Sequence, residues 1–412
     1  MKITRLKTAV VEGNFDWTFV RIETDEGIQG LGECFFAPGL TALLRELEPL
    51  IRGEDPRDLR RLFRKIQMAC SGAGSVAGAV YHATSGIEAA LWDLAGQRLG
   101  VPVYTLLGGK FRDRIRIYAD CHAGTGLESL DAVLRTRRPS WAQSQEIHAG
   151  ADFFEETTKA VQSTPEMYGA RAKAMARKGF TALKFDIDIP NPFRQDLYNR
   201  CLTNREIDYL LSLVAGARQA VPLEVDIAVD CHWRFNVNDA CKLAVGCEPF
   251  RLLWLEDPVD PRDTTGLVEV KTSTRTPIAS GENLYLFEGF HRLLDQGALS
   301  IASPDLQKVG GLSEGRRIAE LADSCSVAVA PHNISSPVGT LASAHFCASI
   351  PNFLALEFHA SDVPFWSDLV EGIPKPIIKD GFICLPEKPG LGVTLNEEVA
   401  RRFARAGEPF FE

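Results

Sequence analysis

From about residue 115 the chain repeats one unit: a short apolar run, a loop, and a stretch long enough for a helix. Eight such runs can be read, at residues 115–121, 182–188, 226–232, 252–257, 277–283, 299–306, 326–332 and 353–358. From the third onward they return roughly every 25 residues, the length of a strand, a loop and a helix. A strand followed by a crossover helix comes back parallel to its predecessor, and eight parallel strands close into a β/α barrel. A chain of 412 residues with 45% hydrophobic residues has the length and the apolar content for that barrel plus an accessory unit.

The accessory unit precedes the barrel. Residues 18–24 alternate as a strand, Asp25-Glu26-Gly27 forms a turn, and residues 30–34 return as the hairpin partner. The strongest helix covers residues 87–99, with Ile87, Ala90, Leu91 and Leu94 on one face. Ser85 and Glu88 have capping-box spacing at its start, and Gly100 and Pro102 punctuate its end. Residues 123–163 form a long excursion between the first two barrel strands, containing Pro139, Trp141 and His148. At the catalytic end of a barrel it reads as a lid or an oligomer contact. Thr164 and Pro165 then open a helix that Gly179 closes.

Charge and cysteine usage exclude several functions. The net charge of −9, from 45 basic and 54 acidic residues, gives no footprint for nucleic acid or an anionic membrane. No apolar run approaches the roughly 18 residues of a membrane span, and residues 1–7 lead into no long apolar stretch, so the expected location is cytoplasmic. Ten cysteines between Cys34 and Cys384 include no CxxC pair, and read as reduced structural thiols. Cys231 lies between two strand positions of interest and therefore points away from both.

Chemistry enters through the polar residues near the strand ends. Asp230, Glu256, Glu282, Asp305, His332 and Glu357 each fall near the C-terminal end of a successive strand, where the active site of such a barrel lies. Asp230, Glu256 and Glu282 on three consecutive strands offer oxygen donors only, which suits a hard cation such as Mg²⁺. Asp305 and His332 end neighbouring strands, so the carboxylate can orient the imidazole of a general base. His232 lies two residues beyond Asp230, on the same side of its strand, and supplies a second acid/base group.

These features together resemble the enolase superfamily, in its mandelate racemase subgroup, over essentially the whole chain. The resemblance rests on the Glu-Thr-Asp-Glu-Gly hairpin, Ala89-Ala90-Leu91-Trp92-Asp93 with Leu106-Leu107-Gly108-Gly109, and residues 254–258. It rests also on Gly281-Glu282-Asn283, Pro304-Asp305-Leu306 with Gly310-Gly311, and Ala330-Pro331-His332. It implies a modified TIM-type (β/α)7β barrel under an α+β capping domain built from both termini. The corresponding division is residues 1–114 for the cap, 115–372 for the barrel and 373–412 for a segment returning to the cap. The resemblance further implies Mg²⁺ on Asp230, Glu256 and Glu282. It assigns to the Asp305/His332 dyad removal of the proton α to a substrate carboxylate, and to Glu357 a hydrogen bond to that carboxylate.

Two departures narrow the reading. Racemases of the subgroup end the second strand Lys-x-Lys, whereas this chain has Lys184-Phe185-Asp186, so the base for the opposite face is missing and Lys184 is left to bind or neutralise the enolate. The third strand, with Asp230-x-His232, resembles acid-sugar dehydratases such as galactonate dehydratase. The expectation is therefore a dehydratase of an aldonate or aldarate, yielding a 2-keto-3-deoxy acid, with His232 donating a proton to the departing hydroxyl. The alternatives are a racemase or epimerase of a 2-hydroxy acid on the same site, or a metal-binding barrel without activity. Distal hydroxyls of the sugar acid would be read by the capping loop at Phe15, Asp16 and Trp17, with His122, Asp186, Trp233, Arg234 and His359 at strand ends. A small-molecule sugar acid is the expected partner, without nucleic acid or membrane, in a homo-oligomer.

Overall fold

The structure is a computed structural model that describes residues 1–73, 76–121, 137–143, 163–189, 192–193 and 199–412. Most of the excursion expected as a lid or oligomer contact, and His122, lie outside the described residues.

The chain begins with an antiparallel sheet of β1 (Ile3–Glu12), β2 (Asp16–Thr24) and β3 (Gln29–Cys34), in that order. Helices α1 (Leu40–Ile51), α2 (Leu59–Ala69) and α3 (Ala79–Leu99) follow. Helix α3 is buried around most of its circumference, because one side packs on β3 and the other on the barrel. The close approach to β3 depends on glycine: a Cβ on Gly32 would stand 2.1 Å from the Gly86 carbonyl oxygen, and one on Gly30 the same distance from that of Ala90.

After the single-turn helix α4 (Val103–Leu106) come the eight parallel strands. They are β4 (Arg114–Cys121), β5 (Ala182–Asp186), β6 (Asp226–Asp230), β7 (Leu255–Glu256), β8 (Ile278–Ser280), β9 (Ile301–Ala302), β10 (Ala328–Val329) and β11 (Leu356–Phe358). Neighbours in sequence are neighbours in space, β11 pairs with β4, and a bridge from Val329 to Phe353 closes the last seam. Seven helices separate the strands among the described residues: α5 (Pro165–Arg177), α6 (Asn204–Ala220), α7 (Val237–Gly246), α8 (Thr264–Ser273), α9 (Leu286–Asp295), α10 (Leu312–Ser324) and α11 (Pro337–Ser349). The expected (β/α)7β barrel is thus present, and all eight expected strands overlap observed ones. Thr164 caps α5 by accepting from the Met167 amide, as its position before Pro165 predicts.

The expected capping box at Ser85 and Glu88 is corrected. Helix α3 begins at Ala79, so both residues lie inside it, facing the barrel. Ser85 accepts a hydrogen bond from the Gly310 amide, while Glu88 accepts from the amides of Leu312 (2.8 Å) and Ser313 (3.0 Å) and from Trp92 Nε1 (2.7 Å). Glu88 therefore caps α10 across the domain boundary. Glu33 does the same for α11, accepting from the amides of Ser336 (2.9 Å) and Gly339 (2.8 Å). Buried carboxylates are tolerated here because the exposed amides and dipole of a helix N-terminus compensate their charge. At the other end of the chain, β12 (Phe382–Cys384) pairs with β4, and bridges join Phe410 to Ala9 and Ala404 to Val11. No helix among the described residues is long and apolar enough to cross a membrane.

Candidate active site

Inside the barrel the two-residue period of the strands separates an apolar plug from an ionised layer. Tyr118, Ala182, Ala228, Trp254, Ala279, Ile301, Ala330 and Ala355 form the plug. Two residues later, the inward face carries Lys184 on β5, Asp230 on β6, Glu256 on β7 and Glu357 on β11. All four are buried. Lys184 Nζ sits among the three acids, 2.7 Å from Glu357 Oε1, 3.0 Å from Asp230 Oδ2 and 3.5 Å from Glu256 Oε2. Burial alone would lower the Lys184 pKa, but Glu256, Glu357 and Asp230 outweigh it and hold the ammonium well above its ordinary value.

The mouth lies just past the strand ends. Glu282 follows β8 and receives a hydrogen bond from Asn283 Nδ2 (2.8 Å), whose own oxygen accepts from Lys308 Nζ (2.8 Å). His332 follows β10, its Nδ1 2.7 Å from Asp305 Oδ2 and its Nε2 3.4 Å from Glu282 Oε2. Asp305 Oδ1 is held in turn by the Gln307 amide at 2.8 Å. Burial alone would lower the His332 pKa, yet Glu357, Glu282 and Asp305 raise it to about 9. Across the mouth, His232 follows β6, the strand four places round the eight-stranded barrel from β10. Its Nδ1 lies 3.0 Å from Asp188 Oδ1.

The acids outnumber the cations that face them. Burial pushes Glu256 well above its usual range, and pushes Asp257 up to about 8. Glu256 Oε1, Asp257 Oδ2 and Glu282 Oε2 are buried and accept no hydrogen bond from the described residues. Orphaned carboxylate oxygens at the end of a barrel are what a hard dication would satisfy. The side chains of Asp230, His232 and Glu282 present donor atoms within 4.8 Å of one another. Glu256, the third expected oxygen ligand, stands outside that group, with Oε2 accepting from Trp254 Nε1 at 2.9 Å.

The expected substrate-reading residues divide. His359 pairs with Asp120 (Nε2 to Oδ2, 2.8 Å) and meets the ring of Phe15 edge-on at 5.4 Å. Asp186 is buried beside Asp230, its direct cross-strand neighbour, and Arg234 Nε lies 3.6 Å from Asp188 Oδ2. Asp16 and Trp17 are held by contacts within the protein. Asp16 opens β2 with its carboxylate held by Arg137 (2.8 Å) and Arg405 (2.7 Å), which ties the cap to the C-terminal segment. Trp17 is 2% exposed, donates from Nε1 to the Ile334 carbonyl and packs on Phe365, so its ring belongs to the core. Sequence reasoning missed Asp188, Asn283 and Lys308. The alternation of Lys184, Asp186 and Asp188 along one strand face was the available signal for the first.

A capped β/α barrel with an acid-rich mouth and a buried Asp–His pair defines a class, that of enolase-type enzymes. Residues 7–108 match the N-terminal domain of the mandelate racemase / muconate lactonizing enzyme family and residues 167–399 match the enolase C-terminal domain-like family, so the chain belongs to this family of enzymes. It is similar to a D-xylonate dehydratase of Haloferax volcanii, 40% identical over 411 residues that cover 100% of this chain and 91% of the relative. A D-galactonate dehydratase of Variovorax paradoxus is 31% identical over 97% of this chain and 93% of its own length. Among solved structures, a mandelate racemase/muconate lactonizing enzyme-like protein from Rubrobacter xylanophilus superposes with a TM-score of 0.88 at 43% identity, covering 100% of this chain and 99% of the other.

Proposed function

We propose that this chain is a Mg²⁺-dependent aldonate dehydratase that converts a sugar acid to a 2-keto-3-deoxy acid. The observation that carries the reading is the pair of imidazoles on opposed strands, His332 held by Asp305 and His232 held by Asp188, with the acid-rich layer between them. Relatives named for D-xylonate, D-galactonate and D-gluconate support an aldonate as substrate.

The donor set fits a cation, and Asp230, Glu256 and Glu282 would hold Mg²⁺, whose chemistry is to stabilise the negative charge that builds on the substrate carboxylate. Asp305, accepting the Nδ1 proton, keeps His332 Nε2 facing the mouth as the acceptor for the α-proton. Lys184 adds a fixed positive charge beneath the enolate, supplied without reorganisation because Glu357, Asp230 and Glu256 already orient it. Glu357, held by the Asn333 amide at 2.9 Å, stands beside Lys184 to position the carboxylate end. His232 then gives its proton to the β-hydroxyl. The Cβ–O bond breaks with its electrons on oxygen, water leaves, and the remaining enol tautomerises to the 2-keto acid. With Asp186 at the place of the second lysine, β5 lacks the base that the Lys-x-Lys pattern puts on the opposite face.

The test is incubation with Mg²⁺ and a panel of D-aldonates, followed by NMR. A 2-keto-3-deoxy product from at least one five- or six-carbon aldonate is expected. Release of no water from any of them, with exchange or inversion at Cα instead, would favour the racemase reading.

A further inference from the structure

We propose that Asp188 is a positioning residue that fixes which nitrogen of His232 faces the mouth, a role that rests on His232 being the proton donor of the reaction above. Asp188 stands two residues past the end of β5, on the same side as Lys184 and Asp186. Its Oδ1 lies 3.0 Å from His232 Nδ1, and its Oδ2 lies 3.6 Å from Arg234 Nε. The carboxylate is 12% exposed and the imidazole 37%, so the pair straddles the boundary between the barrel wall and the mouth.

The backbone fixes the other end of the ring. The His232 amide donates to Asp230 Oδ1 at 2.8 Å, and the Trp233 amide donates to the Asp257 carbonyl at 2.6 Å. These two anchors hold His232 and Trp233 at φ of 41° and 50°, a left-handed conformation uncommon outside glycine. With Cα and Nδ1 both set, Nε2 is the nitrogen left to meet a substrate. The arrangement repeats the one across the barrel. Asp305 follows β9 and orients His332 after β10; Asp188 follows β5 and orients His232 after β6. In each pair the carboxylate comes from the strand preceding that of its histidine, where side chains of adjacent parallel strands meet at the barrel mouth.

The competing reading is a second cation. Asp186, Asp188 and His232 also present donor atoms within 4.8 Å of one another.

The experiment compares Asp188→Asn, Asp188→Ala and His232→Asn with the wild-type protein, each loaded with Mg²⁺. Three quantities are read: α-deuterium exchange of an aldonate in D₂O, its dehydration, and the ¹⁵N shifts of the His232 ring, assigned by their loss in His232→Asn. Asp188→Ala should retain exchange within about threefold while dehydration kcat falls at least 10-fold, part of the 10²–10⁴-fold that a positioned proton donor supplies. KM should stay within about threefold. Its Nδ1 resonance should lose the shift of an N–H bonded to a carboxylate, and Asp188→Asn, which keeps an oxygen acceptor, should fall between the two. Exchange and dehydration dropping together, or an unchanged ring spectrum, would overturn the proposal. So would calorimetry that finds two Mg²⁺ in the wild type and one in Asp188→Ala, since that assigns Asp188 to a cation. Full dehydration by His232→Asn would instead refute the role of His232. The ring spectrum still reports on Asp188 in that case, so the two failures remain distinguishable.

Discussion

Replacing Asp305 by Asn tests the base with a change of one atom, and the hydrogen bonds around it give the expected direction. Asp305 Oδ1 accepts from the Gln307 amide (2.8 Å), and Oδ2 faces His332 Nδ1 at 2.7 Å. An asparagine in the same place must keep its oxygen toward Gln307 N, because the reverse orientation sets an NH₂ against an N–H, leaving a buried donor unsatisfied at about 1–3 kcal/mol. The amide nitrogen then points at Nδ1, which has to become an acceptor. The ring proton moves to Nε2, where the substrate proton should arrive. A bias of about 1–3 kcal/mol is roughly a 5- to 150-fold preference for the unproductive tautomer, since each 1.4 kcal/mol is tenfold. Loss of the carboxylate that stabilises the imidazolium comes on top, and the comparable change in a Ser-His-Asp triad costs about 10⁴-fold. Asp305→Asn should therefore lose α-deuterium exchange in D₂O and dehydration together, by about 10³-fold or more, while melting near the wild-type temperature. Exchange within tenfold of wild type would refute the reasoning and move the base elsewhere, first to Lys184.

Three further outcomes follow from the same structure. Chelation should abolish turnover and Mg²⁺ restore it, and Glu256→Gln should weaken Mg²⁺ binding by calorimetry; tight binding in that variant would remove Glu256 from the ligand set. Glu88→Ala should destabilise the fold by about 3–5 kcal/mol, because it strands the buried amides of Leu312 and Ser313 and the Trp92 Nε1–H; a melting temperature within a degree of wild type would contradict the cross-domain cap. Burial raises Glu33 from 4.5 to about 7 and Asp93 from 3.8 to about 6, so the folded state holds these protons more tightly than the unfolded chain. Their contribution is fully present below about pH 4 and is lost as pH rises through 6 and 7, by about 3 kcal/mol for each group. Glu33→Gln should flatten the decline in denaturant midpoint between pH 5 and pH 8, and an unchanged slope would exclude Glu33 as its source.

The barrel was legible because its signal is local and repeated. Each strand is a short apolar run, and each ends where a polar residue breaks the run. The strand ends were placed too far along for the same reason. Asp257 and Gly281, at φ of 39° and 140°, turn the chain away from the sheet while the hydrophobic pattern still continues. Glu88 and Glu33 were illegible as caps, since the helices they serve lie more than two hundred residues away in sequence. Glu88 even mimicked a local capping box. Trp17 resembled a mouth residue because it follows the loop that reaches the barrel, yet the strand period turns its ring inward. Single strand-end acids such as Asp188 acquire meaning only when the neighbouring strand's histidine is placed beside them.

The most direct test of the central claim is one ¹H NMR time course in D₂O with Mg²⁺ and a D-aldonate, following the α-proton and the product together in wild type and His232→Asn. Wild type should form the 2-keto-3-deoxy acid, and His232→Asn should wash out the α-proton without inversion at Cα while forming little product. Inversion of the α-centre by the wild-type protein without loss of water would contradict that claim.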